Sequence, residues 1–238
     1  MSTSSSPQTA AARGRSAAAR STARSALLAG ATGLIGRALL PLLHASPSYA
    51  HTHVLVRRAP IGVAADARTT FHVVDFAQLP PLLPTVDDCY IALGTTIKIA
   101  GSQAAFRAVD FDFVVNTARA ARAAGATRLA VVSAIGADAH STVFYNRVKG
   151  EMQAAIAQLG YESVVIAQPS LLVGDRSALG QPTRTAEVWI TRLLHPVMAL
   201  VPRGVRPIQA SAVARALLAA TLAPRPGVRL LSSGDMQR

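Results

Sequence analysis

The chain has 238 residues, half of them hydrophobic and only 15% charged, with a net charge of +12 and a single cysteine. That length suits one domain with a modest added lobe, and the apolar content excludes wholesale disorder. The lone Cys89 excludes an intramolecular disulfide and a cysteine-rich zinc site.

The basic surplus sits at the two ends. Residues 1–24 hold four Arg and no acid, residues 176–238 hold nine Arg against two acids, and the stretch between them is nearly balanced. No Lys/Arg-rich run or aromatic–basic interleaving occurs, so nucleic acid is not an expected partner. Residues 1–24 are Ser, Thr, Ala and Arg with no large apolar side chain after Met1, and are expected to be a disordered extension. Their acid-free composition also resembles an organellar transit peptide. A bacterial cytoplasmic protein is the expectation, with an organellar matrix as the alternative. No run reads as a transmembrane helix.

From Ser25 short apolar runs alternate with helical stretches. Strand Ser25–Ala29 precedes helix Leu34–His44, which contains Pro41, and strands His53–Arg57, Phe71–Phe76 and Cys89–Leu93 follow. A long helix, Gln103–Ala124, leads to strand Arg128–Ser133, helix Phe144–Leu159 and strand Ser163–Ala167. Strands apolar on both sides, separated by helices, predict an α/β fold with a doubly wound, Rossmann-like parallel sheet in the order 3-2-1-4-5-6, with room for a seventh strand. Residues 25–238 are read as this domain, with residues 175–238 contributing a small substrate lobe. Within the lobe, Trp189–Val201 is apolar enough to be a lid, a homodimer face or a membrane-surface patch.

Between the first strand and first helix stands Gly30-Ala31-Thr32-Gly33-Leu34-Ile35-Gly36. Gly30 permits a tight turn. Gly33 lets a pyrophosphate approach the helix N-terminus, and Gly36 lets the helix approach the sheet. The second strand ends in Arg57 and Arg58, where NAD sites usually place a carboxylate for the ribose 2′-hydroxyl. Guanidinium groups suit a 2′-phosphate, so NADP(H) is expected over NAD(H).

The helix Phe144–Leu159 carries Tyr145 and Lys149 one turn apart on one face. A phenol is a poor base at neutral pH, and a nearby ammonium stabilises its anion. Lys98 and Lys149 are the only lysines among 24 basic residues, which makes this one conspicuous. Ser133, at the end of the preceding strand, could bond a substrate oxygen. The six histidines, His44, His51, His53, His72, His140 and His195, show no metal spacing and are read as surface or loop residues. Cys89 is read as buried and inert, and Phe106, Phe111 and Phe113 as core.

Gly30–Gly36, Val73-Val74-Asp75-Phe76, Leu93-Gly94-Thr95-Thr96, Val132-Ser133, Tyr145–Glu151 and Arg206-Pro207-Ile208 together resemble the short-chain dehydrogenase/reductase superfamily, in its extended or atypical branch and nearest the Tat-interacting-protein-like oxidoreductases. The resemblance spans about Ser25 to Leu222. It implies that Asp75 and Phe76 flank an adenine, and that Gly94 and Thr95 line the cofactor ribose and phosphates. It makes Ser133, Tyr145 and Lys149 the catalytic set and puts Pro169, Ser170 and Leu171 beside the nicotinamide. Thr32, Leu34, Ile35, Leu93 and Thr96 complete the implied cofactor contacts. The chain departs from the pattern at Ala134, often Ser, at Gln168-Pro169-Ser170, usually Arg-Pro-Gly, and at Asp110, often Asn. The implied activity is NADPH-dependent reduction of a small carbonyl, or the reverse oxidation. A nucleotide-sugar epimerase or dehydratase and a non-enzymatic NADPH-binding regulator are the alternatives.

Overall fold

Alternation along the strands decides the architecture. In the computed structural model, which describes residues 23–59, 67–173 and 206–237, strand β1 (Arg24–Ala29) sends Ala26 and Leu28 to one layer and Leu27 and Ala29 to the other, all four buried. A strand buried on both faces belongs inside a sheet covered by helices on each side. Strands β2 (Tyr49–Val56), β3 (Thr69–Val73), β4 (Asp88–Ile91), β5 (Arg128–Val132) and β6 (Ser163–Gln168) join it. Strands β7 (Leu172–Val173) and β8 (Ile208–Gln209) form a separate short pair, and β9 (Gly227–Ser232) completes the main sheet. Its order is β3-β2-β1-β4-β5-β6-β9 and every pairing is parallel, which is the expected Rossmann-like topology with a seventh strand.

Helix α1 (Leu34–Ala45) covers one face with Ile35, Leu39 and Leu43. Full burial of each such side chain stabilises the fold by about 1.5–3 kcal/mol. Pro41 lies inside α1, as its sequence position required. Short helices α2 (Ile97–Ala100) and α3 (Gln103–Arg107) lead through a π-helical turn, Ala108–Asp112, into α4 (Phe113–Ala123). The expected long helix from Gln103 is therefore continuous to Ala123, with a π-helical turn inside it. Helix α4 and helix α5 (Phe144–Ala157) cover the second face with Val114, Ala118, Ala121, Met152 and Ile156. Cys89 is buried there, and burial pushes its thiol up, consistent with an inert role.

The C-terminal region differs from the expected lobe. From Ile208 the chain returns to the main layers, because helix α6 (Ala210–Leu222) packs Val213, Ala214 and Leu217 into the core that α1 covers, and β9 pairs with β6. Residues 174–205, including Trp189–Val201, lie outside the described residues, as does the extension through residue 22. Arg24, counted with that extension, instead opens β1, and its guanidinium pairs with the buried Asp88. Among the described residues no helix is long and apolar enough to cross a membrane.

Strand β2 begins four residues before its apolar run, since Tyr49–Thr52 pair with Arg24–Ala26. Tyr49 Oη donates to Asp88 Oδ2 at 2.5 Å and lies 2.7 Å from Tyr90 Oη. Burial is the main force raising both phenols, so they stay neutral beside the carboxylate. This network fastens the strand starts, at the sheet edge opposite the loops described below.

Strands β2 and β3 add a partner to the histidines read as surface or loop residues. Parallel pairing sets His53 beside His72, Nδ1 to Nε2 at 3.0 Å, with the His51 ring 4.6 Å from that of His53. Burial first, then the nearby His51 and His72, pushes His53 down from its usual 6.5 to about 4, and His72 is lowered for similar reasons. Among the described residues no group suited to hold a metal ion occurs. His53 and His72 are therefore harder to protonate in the folded chain than in the unfolded one, where they take up protons below about pH 6.5. Stability is therefore unaffected by them above pH 6.5 and falls as pH drops below it, for His53 down to about 4. The melting temperature should fall between pH 7 and pH 5, a window above most carboxylate titration, and the slope should flatten in His53→Gln. An equal slope in both proteins would contradict the assignment.

Candidate functional site

The sheet order reverses between β1 and β4, so the loops that follow these two strands diverge and leave a crevice at the carboxyl edge. A cavity of about 830 Å³ occupies it, within the usual range of about 300–1,000 Å³ for cofactor sites. Gly30, Thr32 and Gly33 from the first loop face Leu93, Gly94 and Thr95 from the second, with Arg57, Arg58 and Phe76 also in the wall. Among the expected cofactor residues, these nine are brought together.

The floor of the crevice depends on a close backbone approach. A Cβ on Gly36 would lie 2.1 Å from Gly30 O, so only glycine lets α1 start against the loop. Gly33 caps α1 without a side-chain hydrogen bond and the first turn holds no acid, which leaves a cradle suited to an anion. Leu34, Ile35 and Gly36 belong to that first turn rather than to the cavity wall, and Ile35 is buried in the core.

Arg37 also lines the cavity beside Arg57 and Arg58, and no Asp or Glu occurs among the described lining residues. Its position directly after the third glycine was the available signal in the sequence. Phe113, expected in the core, lines the cavity as well and stacks on Phe76 with ring centroids 6.1 Å apart. Asp75 turns outward, where Oδ1 accepts the Ala77 N–H at 2.9 Å, and Thr96 caps α2 by accepting from Ile99 N–H. Neither lines the cavity.

Tyr145 and Lys149 stand one turn apart on α5. The Tyr145 ring packs against Phe106, with centroids 5.4 Å apart. Lys149 is only 4% exposed, and its ammonium lies 2.7 Å from Asp110 Oδ1. Asp110 Oδ2 in turn accepts the Thr95 N–H at 2.8 Å. Thus α5 is tied, through the π turn, to a loop that lines the cavity. Ser133, buried after β5, accepts from Gln153 Nε2 at 2.7 Å, and Gln168 Nε2 donates to Gln153 Oε1 at 3.3 Å. Gln153, one turn beyond Lys149, was not singled out from sequence. With its lone pair engaged, the Ser133 hydroxyl keeps its proton to donate.

Pro169, Ser170 and Leu171 do not reach the cavity. Pro169 O accepts the Ile135 N–H, Leu171 O accepts the Ile208 N–H, and Ser170 Oγ donates to Arg206 O and meets Ser233 Oγ at 2.9 Å. Pro169 thus ties the end of β6 to the loop after β5, and Ser170 and Leu171 tie it to the C-terminal segment.

The residues fit a nicotinamide dinucleotide: a glycine-lined cradle at a helix start, guanidinium groups at the end of β2, and a wall running to Gly94 and Thr95. Comparisons agree. Residues 30–171 match the NAD(P)H-binding family. The mitochondrial protein fmp52 of Aspergillus fumigatus is 35% identical over 186 residues, 75% of this chain and 77% of that protein. Mitochondrial FMP52 of Candida albicans is 30% identical over 189 residues, 74% of this chain and 82% of that protein. The Bordetella bronchiseptica enzyme WbmH in complex with NAD+ superposes with a TM-score of 0.64 at 14% identity, covering 89% of this chain and 76% of that one. UDP-glucose 4-epimerase of Thermotoga maritima superposes at 0.61 and 13% identity, covering 88% and 77%. The two structures speak to the fold alone. The mitochondrial names of the fungal relatives overturn the expectation of a bacterial cytoplasmic protein.

One contact beneath the site can be tested without any ligand. A Cβ on Gly150 would lie 2.1 Å from Ala139 N and Asp138 C, so the loop between β5 and α5 rests directly on the helix beside Lys149. Gly150→Ala should cost about 1–3 kcal/mol through overpacking, a fall of several degrees in melting temperature. An unchanged or raised melting temperature would show that the loop yields freely.

Proposed function

The chain belongs to the NAD(P)H-binding family, and from that premise we propose that it is an NADPH-dependent oxidoreductase acting on a small carbonyl or the corresponding alcohol. The observation that carries this reading is the continuous connection from a cavity whose described wall holds Arg37, Arg57 and Arg58 through Thr95 and Asp110 to Lys149 on the Tyr145 helix.

Gly30, Gly33 and the first turn of α1 would hold the pyrophosphate, Arg57 and Arg58 the 2′-phosphate, Phe76 the adenine, and Gly94 and Thr95 the inner ribose. When bound, the reduced cofactor supplies a hydride for a carbonyl carbon. Tyr145 donates the accompanying proton to the carbonyl oxygen, which becomes the alcohol hydroxyl. Lys149 steadies the resulting phenolate, and Ser133 donates a hydrogen bond to the same oxygen, oriented for it by Gln153. The names of the fungal relatives support a mitochondrial address for this chain as well.

Titration should show NADPH binding more tightly than NADH, and Arg57→Ala with Arg58→Ala should weaken NADPH about 10- to 100-fold while changing NADH little. Equal affinities in the unaltered protein would refute the NADP preference. Against a panel of carbonyl compounds, Tyr145→Phe should retain NADPH affinity and lose at least about 100-fold in kcat. A Tyr145→Phe protein that turns over normally would refute the assigned chemistry. Cofactor released only by denaturation, with no net NADPH oxidation, would point to an epimerase.

A further inference from the structure

Asp110 is 1% exposed and stands in a π-helical turn, a geometry often found at functional sites. It lies where the resembled superfamily often has a neutral asparagine. Its Oδ2 is held by the Thr95 N–H, whereas Oδ1 rests 2.7 Å from Lys149 Nζ without a directed hydrogen bond, so that contact is held by charge. Another ion pair on α5, Arg107 with Glu151, is partly exposed. A methyl group on Gly94, a residue of the cavity wall, would sit 3.4 Å from Asp110 Oδ1 and 4.0 Å from Lys149 Nζ. The buried pair therefore lies immediately behind the Gly94–Thr95 wall.

A lone lysine there would make the inner end of the cavity positive. Asp110 makes it neutral. The difference matters for a cofactor whose nicotinamide ring is cationic when oxidised and neutral when reduced. We propose that Asp110 is a positioning residue that sets the redox-state preference of the site: by fixing Lys149 and cancelling its charge, it lets the oxidised cofactor bind far better than a neutral side chain at this position would allow. The inference rests on the reading that the nicotinamide half of the cofactor lies along Gly94 and Thr95 toward Lys149.

Dissociation constants of the oxidised and reduced cofactor, from whichever of the NADP and NAD pairs binds tighter, should be measured by calorimetry for the unaltered protein, Asp110→Asn and Asp110→Glu. Asparagine keeps an oxygen for the Thr95 N–H but drops the charge. A unit charge acting at about 12 Å or less through an effective dielectric of about 20 predicts that Asp110→Asn raises the ratio of oxidised to reduced dissociation constants at least about tenfold. Asp110→Glu should keep the original ratio. Binding of 2′,5′-ADP or 5′-AMP, which lack nicotinamide, should not change. If Asp110→Asn does not fold, Asp110→Ser, also neutral and able to accept a hydrogen bond, is read in the same way.

Equal weakening of both redox forms would reduce Asp110 to a structural role and overturn the proposal. So would an unchanged ratio. If the adenosine probe binds but neither intact cofactor gains affinity over it, the nicotinamide does not reach this wall and the proposal falls while the adenosine site stands. If neither probe nor cofactor binds, the cofactor reading itself has failed.

Discussion

Two opposite charges are almost entirely removed from water between Asp110 and Lys149, and the site is arranged around keeping them together. Burial costs several kcal/mol per ion unless the partner is close and well held. Three elements meet that demand at once: the loop after β4 supplies the Thr95 N–H, the π turn aims Asp110 inward, and α5 brings Lys149. Displacing the π turn or α5 would leave a buried charge uncompensated, and displacing the loop would strip Asp110 of its hydrogen bond. The pair consequently fixes the spacing between the cavity wall and the Tyr145 helix, the distance on which any joint use of cofactor and Tyr145 depends.

The parallel sheet makes this meeting possible. Because β4 lies between β1 and β5, its exit loop faces the glycine loop on one side and approaches α5 through Asp110 on the other. Close contacts that tolerate no side chain, Gly36 on Gly30 and Gly150 on the Asp138–Ala139 backbone, bring the helices near enough for short side chains to bridge the layers. At the opposite edge the Arg24, Asp88, Tyr49 and Tyr90 network fastens the strand starts, leaving the exit loops to build the site.

Local patterns in the sequence carried much of this. Doubly buried strands, the spaced glycines and the one-turn separation of Tyr145 and Lys149 are properties of short segments, so the sheet and the cavity's first loop were legible. What depends on distant pairing was not. The early start of β2 needs Arg24 and Asp88, and the contact of His53 with His72 needs the β2–β3 register. Asp110 looks like any polar helix residue until the π turn and the fold set it against Lys149. Arg37 and Phe113 reach the cavity only because of the rotation of α1 and α4. The final helix and strand were counted with the substrate lobe of the one domain because nothing in Ala210–Ser232 alone states that α1 and β6 have apolar surface left to cover.

A structure of the protein with bound NADP+ tests the central claim most directly, since it reads position rather than affinity. The account predicts the pyrophosphate over Gly33 at the start of α1, the 2′-phosphate against Arg57 and Arg58, and the nicotinamide ribose beside Gly94 on the side of Lys149. A cofactor lying elsewhere, or in the crevice with its nicotinamide end directed away from Lys149 and Tyr145, would contradict it.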